Sequence, residues 1–146
     1  MEDKYNLQRF LTAQNTCDQY NRAVRELLDG RKQSHWVWFV LPQVKGLGYS
    51  YNSQFYGISG IEEAKAYLAD EDLSFRLRRV TEILIQWAPA KSMTDLLGHI
   101  DAMKAKSCLT LFDLASPGEF FENALNECFG GERDEKTIEI CKGSNK

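Results

Sequence analysis

Between Gly30 and Ile58 the chain reads GRKQSHWVWFVLPQVKGLGYSYNSQFYGI, and the residue types able to do chemistry gather there. Trp36 and Trp38 offer flat indoles on which a nucleobase or another planar ring can stack. Two positions apart, they cannot share one helical face, so in a helix one faces the core and the other a groove or solvent. Ser34, Gln43, Ser50 and Tyr56 supply hydrogen-bonding groups around them. Gly46 and Gly48 form a Gly-x-Gly whose backbone N–H groups can approach a phosphate, with Arg31, Lys32 or Lys45 adding charge. It is not a P-loop, and it lacks the strand–turn–helix context of a dinucleotide fingerprint. His35 is of a type suited to general acid–base work near neutral pH, and Asp101 is the other candidate for that role. Asp101, Lys104 and Ser107 are three apart and fall on nearly one helical face, where they could line the same pocket as the tryptophans. Facing inward, the two charges would need partners. Each feature has a plainer structural counterpart: core aromatics, a tight turn, a histidine bonded to backbone at a helix start, and a solvated ion-pair face.

Amphipathic helices must position this stretch. Leu7, Phe10, Leu11, Gln14, Cys17, Tyr20, Val24, Leu27 and Leu28 recur at three- and four-residue steps, which predicts one long helix from about Asn6 to Leu28. Asn6 can cap its start, and Asp29-Gly30 ends it, with Gly30 free to adopt the left-handed conformation. Ser34 reads as a second N-cap before a short helix over His35 to Val40, stopped by Pro42. The same aromatic, β-branched run suits a buried strand, but no partner strand is evident elsewhere. Gln43 to Asn52 reads as loop and Ser53 to Tyr56 as a single turn. Further helices are expected over Ile61 to Ala69, from Asp70-Glu71-Asp72 to Trp87, and from His99 to Leu114, with a short turn capped by Ser92 and running through Leu97 before the last of them. On the last, Ile100, Met103, Ser107, Thr110 and Leu111 lie near one face. Ser116-Pro117-Gly118-Glu119 reads as a capping box opening a helix that Gly130-Gly131 stops. Residues 132–146 read as a polar, partly ordered tail with one short turn at Thr137 to Cys141. The expected fold is all-α: a compact single domain over residues 1–146, a bundle of about five to seven helices with a Trp/Gly-rich loop after the first long one.

The chain has 146 residues, three prolines and a formal net charge of -3. That balance argues against a protein that coats duplex nucleic acid. From Gly30 to Ile61 the formal charges are Arg31, Lys32 and Lys45, all positive. A local basic, aromatic region on an acidic protein suits a small anionic ligand. The four cysteines form no C-x-x-C and the two histidines are scattered, so no metal or other cofactor is expected. The thiols read as buried and reduced. The longest apolar stretch, Trp36 to Leu41, is too short to span a bilayer, and a cytoplasmic protein is expected.

The central stretch also carries a family resemblance. Ser34-His35-Trp36-Val37-Trp38-Phe39-Val40-Leu41-Pro42-Gln43, followed by Gly46-Leu47-Gly48-Tyr49-Ser50, resembles the signature of the bacterial domain of unknown function 1810, or Rv1873-like, family. The match extends through Leu7-Gln8-Arg9-Phe10, Gln14, Gly30, Lys32, Ser53, Tyr56-Gly57-Ile58 and Ala64-x-x-Tyr67-Leu68. Later pieces fit as well: Asp101-x-x-Lys104-x-x-Ser107-x-x-Thr110-Leu111-Phe112, and Gly130-Gly131-x-x-Asp134-x-x-Thr137. Val37 and Leu41 stand where the family often carries Met and Phe, both apolar exchanges. The resemblance covers nearly the whole chain. It implies a compact, mostly helical fold and no established activity.

The functional expectation is a small-molecule site for an anionic, aromatic-containing ligand such as a nucleotide or an ADP-ribose-like derivative of NAD. Trp36 or Trp38 would stack; Arg31, Lys32, Gly46 and Gly48 would hold phosphate; Ser34, Gln43, Ser50, Tyr56, Lys104 and Ser107 would bond the rest. Glycosidic hydrolysis through His35 or Asp101 needs the least added machinery, and binding or sequestration fits the same residues. A module that anchors a protein partner through the Trp-rich stretch is the alternative.

Overall fold

The computed structural model describes residues 3–144, and they form an all-α fold. Among them lie ten α-helices: α1 (Gln8–Asn15), α2 (Gln19–Leu28), α3 (Val37–Val40), α4 (Tyr51–Phe55), α5 (Ile61–Ala69), α6 (Glu71–Trp87), α7 (Met93–Leu97), α8 (His99–Ala115), α9 (Phe120–Phe129) and α10 (Glu135–Ser144). A lone parallel bridge pairs Val44 with Ile58. The segment open to helix or strand, residues 35–40, is helical over Val37–Val40.

α8 is the axis of the molecule, with α5, α7, α9 and α10 packed against it. Its buried side includes Ala105, Cys108, Leu109 and Phe112, and Phe112 meets Tyr67 of α5 and Phe121 of α9. Phe10, Trp36, Tyr67, Phe112 and Phe121 are all essentially sealed from solvent. Burial of a side chain of this size contributes roughly 1.5–3 kcal/mol each.

Several boundaries follow the expected chemistry. Asp70 accepts from Leu73 N at 3.0 Å to cap α6, and Ser92 accepts from Asp95 N at 3.0 Å to cap α7. Gly30, at φ +83, closes α2.

Four expectations are corrected. The predicted first helix is two helices, because Cys17 (φ 52) and Asp18 (φ 59) are left-handed in the 3-10 turn between them. Side chains bond the carbonyls at the break, Thr16 Oγ1 donating at 2.6 Å to Thr12 O, which also accepts Thr16 N, and Gln19 Nε2 donating to Ala13 O at 3.0 Å. Cys17 is consequently exposed rather than part of the stripe. Asp3, not Asn6, caps α1: its carboxylate accepts from Leu7 N at 2.7 Å and Gln8 N at 2.8 Å. At the predicted capping box, Ser116 does bond Glu119 (2.8 Å), but within a turn, and α9 starts at Phe120. Finally, residues 135–144 form a full helix rather than one turn. Asp134 N donates to Thr110 Oγ1 at 3.0 Å, its carboxylate accepts from Thr137 N at 3.1 Å, and Thr137 and Cys141 are buried. Residues 145–146 of the expected tail lie outside the described residues.

Candidate functional site

The segment leaving α2 is organised by a carboxylate. Glu26, 8 % exposed, accepts from Gln33 N (2.8 Å), Ser34 N (2.9 Å) and the Trp36 indole Nε1 (2.9 Å) through one oxygen, and from the Ser34 hydroxyl through the other. Burial alone pushes such a carboxyl up, but these four donors hold it down at about 2. Trp36 is thereby fixed in the core at 1 % exposure, and Ser34 is spent on Glu26 rather than on capping α3.

Lys32 is the next link. Its ammonium pairs with Asp101 Oδ2 at 2.6 Å, donates to Ser34 O and lies 5.0 Å from the Trp36 ring centroid. Its side chain is 5 % exposed, so this cation ties the 31–36 segment to α8. Asp101 Oδ1 in turn lies 3.5 Å from Lys104 Nζ, which sits 3.8 Å from the Trp38 ring centroid. Lys32, Asp101 and Lys104 thus form a chain of alternating charge that ends at the Trp38 face, and Ser34 and Trp36 join it to Glu26.

The loop from 43 to 58 is closed at its base by backbone. Ile58 N donates to Gln43 O at 2.9 Å and Lys45 N to Ile58 O at 2.8 Å. Gly57 permits this approach: a Cβ there would lie 2.7 Å from Ser53 O and 2.8 Å from Lys45 Cα. Arg9 braces the same base from α1. Its guanidinium donates to Phe55 O (2.8 Å), Gly57 O (3.1 Å), Tyr5 O (2.6 Å), Asn6 O (2.9 Å) and Glu63 Oε2 (2.8 Å). Gln14 fixes α3 likewise, donating to Phe39 O at 2.7 Å and accepting from Arg76 at 3.0 Å.

Between this loop, α8 and the start of α10 opens a cleft of about 320 Å³. Trp38, Leu47, Ile100 and Met103 supply its apolar walls, and Gln43, Ser53, Lys104, Ser107, Asp134 and Lys136 its polar groups. Ile100 and Met103 are 67 % and 55 % exposed at its mouth. Gln43 and Ser53 use only backbone groups in the bonds that place them, Gln43 O with Ile58 N and Ser53 N with Ser50 Oγ (3.1 Å). Among the described residues their side-chain amide and hydroxyl are uncommitted and able to meet a ligand.

Of the residues singled out in the sequence, Trp38, Gln43, Gly48, Lys104 and Ser107 come together here. The others lie elsewhere. Trp36 and Lys32 are buried in the charge chain, and Arg31 is exposed away from the cleft. Gly46, exposed at φ +106, neighbours Ile140. Ser50 caps α4. Tyr56 packs between Phe39 and Phe55, facing a void of about 10 Å³ behind Trp38. His35 is exposed, and neither it nor Asp101 lines the cleft. No group of three or more potential metal ligands occurs among the described residues, and none of their helices is long and apolar enough to cross a membrane.

Residues 4–141 match the family model described as "Protein of unknown function (DUF1810)". The chain belongs to that family. A member of known structure, the conserved hypothetical protein Rv1873 from Mycobacterium tuberculosis, is similar at 38 % identity and a TM-score of 0.89, over 96 % of this chain and 99 % of that one. No curated protein matches the chain.

In this DUF1810 domain several cleft residues carry little signal in the sequence. Ile100 and Met103 recur at helical spacing and read as core, yet the core side of α8 is built on Ala105, Cys108 and Phe112. Asp134 and Lys136 lie in what reads as a tail. Ser53 stands in the family pattern without an evident role. Glu26 gave the least warning, because its four donors come from residues seven to ten positions away.

Proposed function

We propose that the cleft binds a small organic anion with a flat, apolar part, the class to which nucleotides and ADP-ribose derivatives belong. One observation carries this reading: an open space of about 320 Å³ where an indole and aliphatic walls meet Lys104, Lys136 and two uncommitted polar side chains, Gln43 and Ser53. Concave, mostly apolar sites with a few convergent polar groups are the usual form of small-molecule sites, and this volume is at the lower end of their range. Binding is favoured over glycosidic hydrolysis. Asp101 is held between Lys32 and Lys104, and His35 lies outside the cleft. The phosphate-holding role expected of Arg31 and Lys32 passes to Lys104 and Lys136.

A thermal-shift and tryptophan-fluorescence screen against AMP, NAD, ADP-ribose and aromatic carboxylates tests the reading. A ligand at a hundred times its Kd stabilises by about 2.7 kcal/mol. Stabilisation that disappears in Trp38→Ala supports the cleft. Silence across the panel, with the variant still folded, refutes it and favours a partner protein. In the 43–58 loop, Tyr49 (92 % exposed) and Tyr51 (74 %) are open to such a partner, the latter stacked on Phe55 with centroids 5.5 Å apart.

A further inference from the structure

We infer that Lys104 selects the ligand: its ammonium covers the face of Trp38 that a flat ring would use, so the cleft opens to a ring only when the same ligand brings an anion to draw Lys104 away. The inference rests on the reading of the cleft as a binding site.

The geometry gives Lys104 two partners and a full hold on neither. Its Nζ is 3.8 Å from the Trp38 centroid, close enough to exclude a stacked ring from that face. It lies 3.5 Å from Asp101 Oδ1, a longer approach than the 2.6 Å between Asp101 Oδ2 and Lys32. Its side chain is 21 % exposed, against 5 % for Lys32. Lys32 therefore keeps Asp101 paired when Lys104 leaves, and no buried carboxylate is stranded by the movement. A lysine ammonium on its flexible four-carbon stem can swing without displacing the helix that carries it.

A carboxylate or phosphate arriving in the cleft offers Lys104 a full ion pair, which the indole face does not. A neutral ring offers nothing in exchange for the displaced cation. An anion without a ring leaves the apolar wall of Trp38, Leu47, Ile100 and Met103 unfilled. The favoured ligand therefore joins a flat ring to an anionic group within the reach of one lysine head. Ile100 and Met103 on the same helix flank the ring, and Gln43 and Ser53 face it from the loop.

The test uses matched pairs, AMP against adenosine and indole-3-acetate against indole-3-acetamide. Affinities are measured by calorimetry on the wild type, Lys104→Met and Trp38→Phe, with the Trp38 indole N–H followed by NMR. In the wild type the anionic member of a pair should bind at least about tenfold tighter than its neutral partner. In Lys104→Met that ratio should fall at least about threefold, partly through tighter binding of the neutral ring, with Lys136 retaining the remainder. The free-state Trp38 indole signal should also move in this variant. An anionic preference undiminished in Lys104→Met, with Trp38 still perturbed by ligand, overturns the selection and leaves the binding site standing. No binding of any of the four to the wild type, or binding that leaves Trp38 unperturbed, overturns the site itself and the selection with it.

Discussion

Glu26→Gln removes one charge and almost no volume from the group that holds Gln33, Ser34 and Trp36 in place. The amide oxygen can still accept from the two backbone N–H groups and the indole, so what is lost is mainly the charge. The carboxyl titrates at about 2 in the folded protein against 4.5 without the fold. Each pH unit of displacement is worth about 1.4 kcal/mol, so the ionised form contributes up to about 3 kcal/mol. The folded value is the lower one, which sets the sign. The contribution is complete above pH 4.5, declines as pH falls from 4.5 towards 2, and is absent below. Urea unfolding of both proteins at pH 7, 5, 4 and 3 isolates it, because other carboxylates cancel in the difference. The variant should be less stable by about 2–3 kcal/mol at pH 7, and the gap should narrow to about two-fifths of that by pH 3. A gap that stays constant across the series would refute the reasoning, since the charge of Glu26 would then be irrelevant to its role.

Arg9→Met should cost about 3–5 kcal/mol by urea unfolding, because it leaves Glu63 buried without its cation and unties the base of the 43–58 loop. Gly30→Ala should cost about 1–2 kcal/mol, since φ is +83 and a Cβ would meet the Trp87 ring at 3.0 Å; Trp87 fluorescence should respond. Gln14→Leu should lower stability by about 1–3 kcal/mol, because Phe39 O and the Arg76 guanidinium each lose a buried partner.

Much of the helical frame was legible in the sequence because its punctuation is local. Asp70 before α6 and Ser92 before α7 act through hydrogen bonds three residues away, and Pro89 after α6 acts through the backbone N–H it lacks. The break at Cys17-Asp18 was not legible, because neither residue is Gly or Pro and the apolar stripe continues beyond it. α10 reads as a single turn because, although the Asp134 cap on Thr137 N is local, the bond that anchors its start goes to Thr110, a residue of another helix. The meeting of Trp38, Lys104 and Ser107 was partly legible, since the helical spacing of Asp101, Lys104 and Ser107 put them on one face. The cation over the indole was not, because spacing says nothing of which side chain lies across the gap. Trp36 and Trp38 look alike in the chain, and only the acceptor Glu26 decides that Trp36 is core.

We propose that a small aromatic anion binds in the space between the 43–58 loop, α8 and the start of α10. A ¹H–¹⁵N NMR titration of the intact protein with AMP and with indole-3-acetate tests it most directly. Binding there should give saturable shifts at the Trp38 indole and at the amides of Leu47, Gly48, Ser53, Lys104 and Ser107, with His35 and Arg31 unmoved. Saturable shifts confined to another face of the molecule, or none from either compound, would contradict it.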